Sequence, residues 1–338
     1  MNRYAYLSPS GEPAPSRRPV EGAGSPLDAS GLWTTGSPPF PGRQAARVPV
    51  PPRRPPELQG QVFRGSRAVA GGVLTRKELR GPAWRRLFRD VHADAALEVT
   101  HELRAIAAAS VLVPGAVVSG RSAAVLWGLD VAGPADDIEL TVPPGCTRSV
   151  VPGVRVRRAV LLPEECTRRR GVAVTTPEVT AVALARSAPL DEAVVLVDQF
   201  VASGMVDLEP VRAVAAASTG RGCRQARTAV ALADGLAASP QETRLRLLLH
   251  RSTLPRPIAQ FSVRNGAVFV ARVDFAWPER RIAVEYDGLW HAEDGQFAHD
   301  RRRLNRLLAA GWRVVFVTAA DLRRPDELLA RVAQQLAR

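Results

Sequence analysis

Lysine is almost absent from this chain of 338 residues: it occurs once, at Lys77, although lysine and arginine together number 46. The formal net charge of +13 therefore comes almost wholly from arginine. Guanidinium groups form bidentate hydrogen bonds with phosphate, so the charge favours a polyanionic partner such as nucleic acid. A GC-rich genome that favours arginine codons is the alternative explanation of the same composition.

Cysteine and long apolar runs are also scarce. Cys146, Cys166 and Cys223 are far apart and form no C-x-x-C pair, which argues against a disulfide framework and a structural zinc site. No apolar stretch approaches the roughly 20 residues that span a bilayer, and the N-terminus lacks the apolar core of a signal peptide. We therefore expect a cytoplasmic protein with no membrane partner.

Residues 1–57 contain 13 of the 28 prolines, and almost no apolar periodicity is present between them. A segment this polar and rich in proline is typical of a disordered tail. It is either an arginine-bearing arm that touches nucleic acid or a segment without function that follows from a wrongly assigned start codon. The remaining length suits two domains, over residues 61–232 and 239–338.

The first of these domains is expected to alternate short strands and helices. Apolar spacing and candidate caps such as Ser119 indicate the elements. In chain order they are a short helix at 74–79, a basic segment at 84–91, a helix at 101–113, a helix after Ser119, strands at 138–143 and 154–158, and a helix from 176 to 185.

Five segments of this domain carry a family resemblance. They are L-T-R-x-E-L, W-R-R-L-F-R-D-V-H, S-G-R-S-A-A-x-L-W-G-L, I-E-L-T-V-P and V-T-T-P-E-V-T. Together they resemble the AbiEi-type antitoxin and transcriptional-regulator family, in which a small winged helix precedes an α/β domain. The resemblance implies a regulatory or binding role, with DNA and a cognate toxin or other protein as partners. Only about ten residues separate Leu74 from Trp84, so the winged-helix start is shortened and has little room for a full recognition helix.

Arginines are concentrated in this shortened start. Arg76, Arg85, Arg86 and Arg89, together with Arg80, are candidate contacts to DNA phosphates. A charge run of this kind is also typical of a solvated surface, and the sequence leaves both interpretations open.

The chain from Ser239 onward predicts a helix, three antiparallel strands, a helix, a strand and a closing helix. Ser239, Pro240 and Glu242 form a helix start with a capping box. Asn265 and Gly266, between alternating residues, predict a hairpin.

Two carboxylates on adjacent predicted strands indicate chemistry. Asp274 and Glu285 are separated by about ten residues and a tight turn, so they can share one divalent cation. We assign both to metal ligation, by Mg²⁺ or Mn²⁺, and Asp287 lies on the same strand face as Glu285. The alternative is a salt bridge from these carboxylates to Arg272 or Arg281.

Four segments near the C-terminus carry a second resemblance. They are R-V-D-F-A-W-P, A-V-E-Y-D-G-L-W-H, D-R-R-R-L-N-R-L and G-W-R-V-V-F-V-T. Residues 239–338 resemble the PD-(D/E)XK nuclease superfamily, and within it the branch akin to very-short-patch mismatch repair endonucleases. The resemblance implies a restriction-endonuclease-like αβββαβα domain that hydrolyses DNA with Mg²⁺, in which Asp274 and Glu285 match the acidic positions and Asp287 is a further candidate ligand of the metal.

The chain departs from this superfamily where a lysine normally follows the second acidic residue by two positions, because Asp287 stands there. Orientation of the attacking water would then pass to Asp287 or to His291, which follows a tryptophan as in the mismatch repair branch. The alternative is that His291, which follows a turn, is a surface residue without a catalytic role.

Three further residues are candidates for the same site. Arg303, on the next predicted helix, could clamp the scissile phosphate while Asp300 holds it; the alternative is a surface pair worth only ~0.3 kcal/mol. Glu242 is a candidate accessory group, although the capping box explains it equally well.

The sequence thus predicts a mixed α/β (α+β) protein, with metal-dependent endonuclease activity as the first functional expectation. The alternative is a non-catalytic DNA-binding regulator or type IV antitoxin-like protein whose nuclease fold is degenerate. The missing lysine favours that alternative.

Overall fold

The computed structural model describes residues 51–146, 151–288 and 296–338, with the backbone alone for 296–300. The elements combine helices with antiparallel and mixed sheets, as the sequence predicts. Among the described residues, no helix is both long enough and apolar enough to cross a membrane.

Part of the segment that the sequence predicts to be disordered is folded. Residues 1–50 of the predicted disordered tail lie outside the described residues. Residues 51–57 are part of the fold, because Pro55 is buried and Arg54 forms an ion pair with the buried carboxylate of Asp94. The prediction of disorder up to residue 57 is therefore wrong for this last stretch.

A small module of two short helices and three strands comes first. Its elements are β1 (Val62–Arg64), α1 (Gly65–Ala70), α2 (Arg76–Leu79), β2 (Trp84–Phe88) and β3 (Val91–Asp94). The strands form an antiparallel sheet in the order β1-β3-β2. A capping box starts α2, in which Thr75 Oγ1 accepts from the Glu78 amide at 3.2 Å and Glu78 accepts from the Thr75 amide at 2.7 Å. The four residues of α2 span only about 6 Å, so this module lacks a full recognition helix.

A five-stranded sheet follows. Its strands are β4 (Val117–Val118), β5 (Ile138–Val142), β6 (Val154–Arg158), β7 (Cys166–Arg169) and β8 (Val172–Thr175), in the order β6-β5-β4-β8-β7. The helices α3 (His101–Ala107) and α4 (Gly120–Leu126) pack with it. The helix predicted over 101–113 changes to a π-helical turn at Ala108–Leu112. Ser119 stands at the N-cap of α4 as predicted, but its hydroxyl accepts from Thr141 rather than from the helix.

The next part of the chain is helical. It consists of α5 (Pro177–Ser187), α6 (Leu190–Ala202), α7 (Leu208–Ala217) and α8 (Cys223–Leu232). These helices bury Phe200 in a shared apolar core. The helix predicted from 176 to 185 is confirmed as α5. The expected alternation of strands and helices is wrong after α5, because short apolar runs fit a buried helix as well as a strand.

The C-terminal part has the predicted element order, with one short helix added. Its elements are α9 (Pro240–Arg251), β9 (Ile258–Asn265), β10 (Val268–Trp277), β11 (Ile282–Tyr286), α10 (Gln296–Ala309), β12 (Arg313–Val317), α11 (Ala319–Leu322) and α12 (Pro325–Ala337). The sheet order is β12-β11-β10-β9, and only the β11–β12 pair is parallel among these described strands.

Helix α9 joins the helical part to the C-terminal sheet. Leu247 packs into the core around Phe200, while Leu245 and Leu249 pack into the core of the sheet. Residues 51–338 accordingly form one compact unit.

A buried polar network fixes this junction. Asp198 on α6 is fully buried and accepts hydrogen bonds from Thr243 at 2.8 Å and from Arg246 at 2.6 Å, both on α9. Its second oxygen accepts from the amides of Asp234 and Gly235, each at 2.9 Å. Because a buried carboxylate is stable only when paired and hydrogen-bonded, these contacts hold α9 against α6.

Candidate functional site

A basic cavity of about 640 Å³ opens beside α2 and the β2–β3 hairpin. Its lining residues are Arg76, Leu79, Arg80, Trp84, Arg86, Arg89, Asp90 and His92. The four arginines are exposed, and in the described part of the chain none of them forms an ion pair with an acidic side chain. Unpaired guanidinium groups around a concavity attract an anion.

The structure divides the arginines that the sequence nominated for DNA contact. Arg76, Arg86 and Arg89 line the basic cavity together with Arg80, whereas Arg85 does not. Arg85 and Arg86 are consecutive residues of β2, so their side chains leave opposite faces of the sheet. Arg85 is thus placed apart from the other four candidates.

Two aromatic side chains in the same cavity were not predicted from the sequence. The Trp84 indole nitrogen and the His92 Nδ1 are buried, and neither has a hydrogen-bond partner among the described residues. An indole N–H is an obligatory donor, and leaving it buried without an acceptor costs about 1–3 kcal/mol. Alternation along β2 places Trp84 and Arg86 on one face, which is the signal that could have grouped them.

Asp90 is the one acidic residue of this lining, and its charge is already engaged. Its two oxygens accept from the Ser66 amide at 2.7 Å and the Ser66 hydroxyl at 2.6 Å. Burial opposes ionisation, but these hydrogen bonds, with Arg64 nearby, bring the pKa of Asp90 below its usual range. Asp90 therefore fixes the hairpin turn to α1 and leaves the four arginines in excess.

Three acidic side chains interact in the C-terminal part. They are Glu242 on α9, Asp274 on β10 and Glu285 on β11. The register pairs Phe275 with Val284, so Asp274 and Glu285 stand one step further along the two strands. The structure therefore brings together the two residues that the sequence assigned to one metal, and it adds Glu242.

Asp274 carries the strongest electrostatic perturbation of the three. Burial, and next the charges of Glu242 and Glu285, raise its pKa from 3.8 to about 6. A hydrogen bond from the Tyr286 amide to Oδ2, at 2.8 Å, opposes this rise. Carboxyl groups whose pKa is raised by burial and by neighbouring carboxylates are common at functional sites.

Glu285 is paired with Arg303 rather than with the predicted alternatives. The Arg303 Nη1 donates to Glu285 Oε2, and its Nη2 donates to the backbone oxygen of Arg272 at 2.6 Å. The Arg272 and Arg281 side chains form no ion pair with Asp274 or Glu285 in the described part of the chain. Arg303, which the sequence predicted to clamp the scissile phosphate, is thus the counter-ion of Glu285, which the sequence predicted to bind the metal.

Glu285 nevertheless retains an unsatisfied oxygen. The residue is 7% exposed, and its buried Oε1 has no hydrogen-bond partner among the described residues. Such an oxygen is an available cation ligand, because an unpartnered buried acceptor is costly.

Ser239 caps α9 as predicted, because its hydroxyl accepts from the Glu242 amide at 3.2 Å, but Glu242 does not return the bond of a capping box to the Ser239 amide. The Glu242 oxygens accept from the Ala238 amide and the Ser239 hydroxyl, each at 2.9 Å, and from the Gln260 amide group at 3.1 Å. Both oxygens are therefore engaged in holding the start of α9.

Asp287 is the one remaining predicted metal ligand that the structure describes, and it does not join this cluster. Asp287 is exposed just beyond β11. His291 lies outside the described residues, as does the side chain of Asp300. Within the described ranges, no three histidine, cysteine, aspartate or glutamate side chains are grouped so that they could hold a metal ion. Arg303 supplies the positive charge at Glu285 in this arrangement.

Comparison with known proteins places the middle of the chain in a described domain family. Residues 116–234 match the AbiEi antitoxin C-terminal domain. The matched segment begins just before β4 and ends just after α8, so it includes the five-stranded sheet and the four-helix part.

Two relatives from Mycobacterium tuberculosis match a larger share of the chain. The uncharacterized proteins MT2308, from strain CDC 1551 / Oshkosh, and Rv2248, from strain H37Rv, are each 33% identical over 243 residues, which cover 69% of this chain and 86% of theirs. The crystal structure of the Rv2827c protein from the same species covers 61% of this chain and 84% of its own, at 17% identity and a TM-score of 0.35. By its identity and coverage with MT2308 and Rv2248, the chain belongs to the family of these two mycobacterial proteins.

Proposed function

We propose that this protein is a nucleic-acid-binding regulator of the antitoxin type. The match of residues 116–234 to the AbiEi antitoxin C-terminal domain carries this proposal. The basic cavity in the preceding module supports nucleic acid as the partner, because its four arginines have no acidic counter-ion within the described structure.

The shape of the N-terminal module suggests how nucleic acid is bound. Helix α2 has four residues, too few to present a series of side chains to base edges in a major groove. Arginine contacts to phosphate position a protein on nucleic acid without reading its sequence. The regulator would therefore bind through charge, with weak discrimination between sequences and a strong dependence on salt.

A protein partner belongs to the same proposal. The AbiEi match supports a cognate toxin as that partner. Because α9 fixes the C-terminal part to α6, a toxin bound to either part would act on one rigid body.

Equilibrium DNA binding by the full chain tests this proposal. Binding of a fluorescent duplex should weaken steeply with salt and should be unchanged by EDTA, and it should survive Asp274→Ala. The triple change of Arg76, Arg86 and Arg89 to alanine should abolish it, whereas Arg85→Ala should lower the affinity only slightly. Absence of duplex binding at low salt by the folded protein would overturn the nucleic-acid part of the proposal.

A second candidate function is the metal-dependent hydrolysis of DNA. It is favoured by the cluster of Glu242, Asp274 and Glu285, in which the pKa of Asp274 rises to about 6 through burial and the neighbouring carboxylates, and Glu285 Oε1 has no partner among the described residues. Asp274 and Glu285 would hold Mg²⁺ or Mn²⁺, which would supply the charge that stabilises a phosphoryl transition state.

Two features of the same cluster disfavour this candidate. Arg303 already neutralises Glu285, and Asp287 stands where the resembling nucleases carry a lysine. Incubation of supercoiled, nicked and single-stranded DNA with Mg²⁺ or Mn²⁺ distinguishes the candidates. Cleavage that disappears with EDTA, with Asp274→Ala and with Glu285→Ala would support the nuclease, and intact DNA that remains bound would support the regulator.

A further inference from the structure

The basic cavity contains more hydrogen-bond donors than a bridging phosphate can use. A phosphodiester in a nucleic-acid backbone carries one negative charge and two free oxygens. A phosphomonoester carries about −1.5 to −2 charges at pH 7 and three strong acceptor oxygens. Four guanidinium groups around one concavity, beside a buried indole N–H, match the second set better.

The arginines converge on the cavity from separate elements. Arg76 begins α2, Arg80 caps its end, Arg86 lies in β2, and Arg89 lies in the turn that follows. These arginines can contact the backbone of a nucleic-acid strand, and they also line a single concavity of about 640 Å³, so they can act together on one phosphate. That volume accommodates a single terminal phosphate with its sugar, as compact ligand sites do.

The buried nitrogens supply an independent reason for a ligand. Trp84 is 6% exposed, and its indole N–H has no acceptor among the described residues. Because this nitrogen is closed to solvent, a phosphate oxygen would accept from it only when ligand binding shifts the side chains that line the cavity. The same surroundings hold the cavity in shape, because the Phe63 ring packs edge-on against Trp84, with centroids 5.2 Å apart, and stacks on His92 at 6.1 Å.

We propose that this cavity is a binding site for a phosphomonoester, carried by the end of a nucleic-acid strand or by a free nucleotide. The inference rests on the proposed function, since it names the phosphate that the N-terminal module selects. General phosphate contact would give equal affinity for strands with and without a terminal phosphate, whereas this site should bind the phosphorylated strand more tightly.

Binding of a short fluorescent single strand by the full chain tests the proposal, with four versions of the same sequence. The versions carry a 5′-phosphate, a 3′-phosphate, both or neither. At fixed salt, a terminal phosphate should raise the affinity about tenfold, the equivalent of one additional charge-assisted hydrogen bond. Arg86→Ala and Arg76→Ala should remove this preference, and Arg85→Ala should retain it.

Trp84→Phe separates ligand contact from packing, because it keeps an aromatic ring and removes only the N–H. It should reduce the preference severalfold while the free energy of unfolding is held or increased, since it removes an unsatisfied buried donor. A nucleoside 5′-monophosphate that competes as well as the phosphorylated strand would support the phosphomonoester site and assign it to free nucleotides. Weak competition would support the site and assign it to strand ends.

The outcomes separate this inference from the proposed function. Equal affinity for all four strands, with salt-sensitive binding intact, would overturn the phosphomonoester site and leave the regulator standing. A terminal-phosphate preference that Arg85→Ala removes as completely as Arg86→Ala would also overturn the assignment to this cavity. Absence of binding to all four strands and to the nucleotide would overturn the site, and absence of duplex binding as well would overturn the proposed function too.

Discussion

Arg303 lies against Glu285 and donates a hydrogen bond to a carboxylate that is only 7% exposed. The two residues come from α10 and β11, and the second guanidinium nitrogen of Arg303 binds the backbone of β10. Arg303 thus holds a helix and two strands together beside the carboxylates that the sequence assigned to metal ligation.

This pairing predicts a loss of stability when Arg303 is removed. Arg303→Ala leaves the buried Glu285 carboxylate without its cation, and we expect a loss of about 2 kcal/mol, less than for a fully buried pair because Arg303 is partly exposed. Urea unfolding measures the change. The double variant Arg303→Ala, Glu285→Gln should recover most of the loss, and Arg302→Ala, an exposed neighbour, should have no effect. A full loss in the double variant would contradict the pairing.

Stability should depend on pH through Asp274. The folded protein keeps the Asp274 proton up to about pH 6, while the unfolded chain releases it near the ordinary value of 3.8. Between these values the folded state binds more protons, so the free energy of unfolding falls as pH rises, and the full cost, up to about 3 kcal/mol, is present above pH 6.

Replacement of Asp274 isolates that contribution. Asp274→Asn should raise the free energy of unfolding at pH 8 and leave it nearly unchanged at pH 3.5, because the amide can still accept from the Tyr286 amide. Chemical denaturation at both pH values measures the difference. Asp287→Asn, an exposed carboxylate beyond the same strand, is the control for loss of charge. A destabilising effect of Asp274→Asn at pH 8 would contradict the predicted cost.

Asp198 should be the most sensitive polar residue at the junction of the helical and C-terminal parts. Asp198→Ala leaves buried Arg246 without this partner and removes acceptors from Thr243 and two backbone amides, so we expect a loss of about 3–5 kcal/mol. Glu192→Ala, which breaks a more exposed ion pair between the same two helices, should cost less than about 1 kcal/mol. Thermal unfolding compares them, and equal losses would show that burial is not decisive here.

A side chain at Gly120, in the S-G-R-S segment, should strain the backbone and displace the Glu139 carboxylate. The φ of Gly120 is +55°, and a Cβ atom would lie 1.8 Å from a Glu139 oxygen that accepts from the Arg121 amide. Gly120→Ala should therefore destabilise the protein by more than about 2 kcal/mol. Gly128, with a φ of +102° and open space around it, is the matched control, and its alanine variant should carry only the backbone strain. Comparable melting temperatures for the two variants would contradict the steric account.

The local signals in the sequence predicted the C-terminal part well. Ser239 begins α9, Asn265 and Gly266 form the hairpin, and Asp274 and Glu285 lie on adjacent strands, because capping, turn type and strand alternation are short-range properties. The helix from 176 to 185 was predicted and is present as α5, but the helices α6, α7 and α8 were missed, since their apolar runs are compatible with two structures until tertiary packing selects one.

The contacts between side chains at the two candidate sites could not be predicted from the sequence as well as the elements that carry them. Arg303 and Glu285 are 18 residues apart on different elements, and neither the pattern of charges nor helix spacing indicates that they pair. Trp84 and His92 join the predicted arginines only because β2 and β3 form a hairpin, with Arg86 opposite His92. Interactions of this kind depend on the register between strands, which a single sequence leaves open.

Duplex DNA binding by the full chain, measured across a salt series with Mg²⁺ and with EDTA, tests the central claim most directly. For a regulator that binds phosphates, the logarithm of affinity should fall linearly with the logarithm of salt concentration. EDTA and Asp274→Ala should leave that line unchanged, and the Arg76, Arg86 and Arg89 triple alanine variant should lose binding. Metal-dependent cleavage of the duplex that Asp274→Ala abolishes would contradict the claim and identify a nuclease instead.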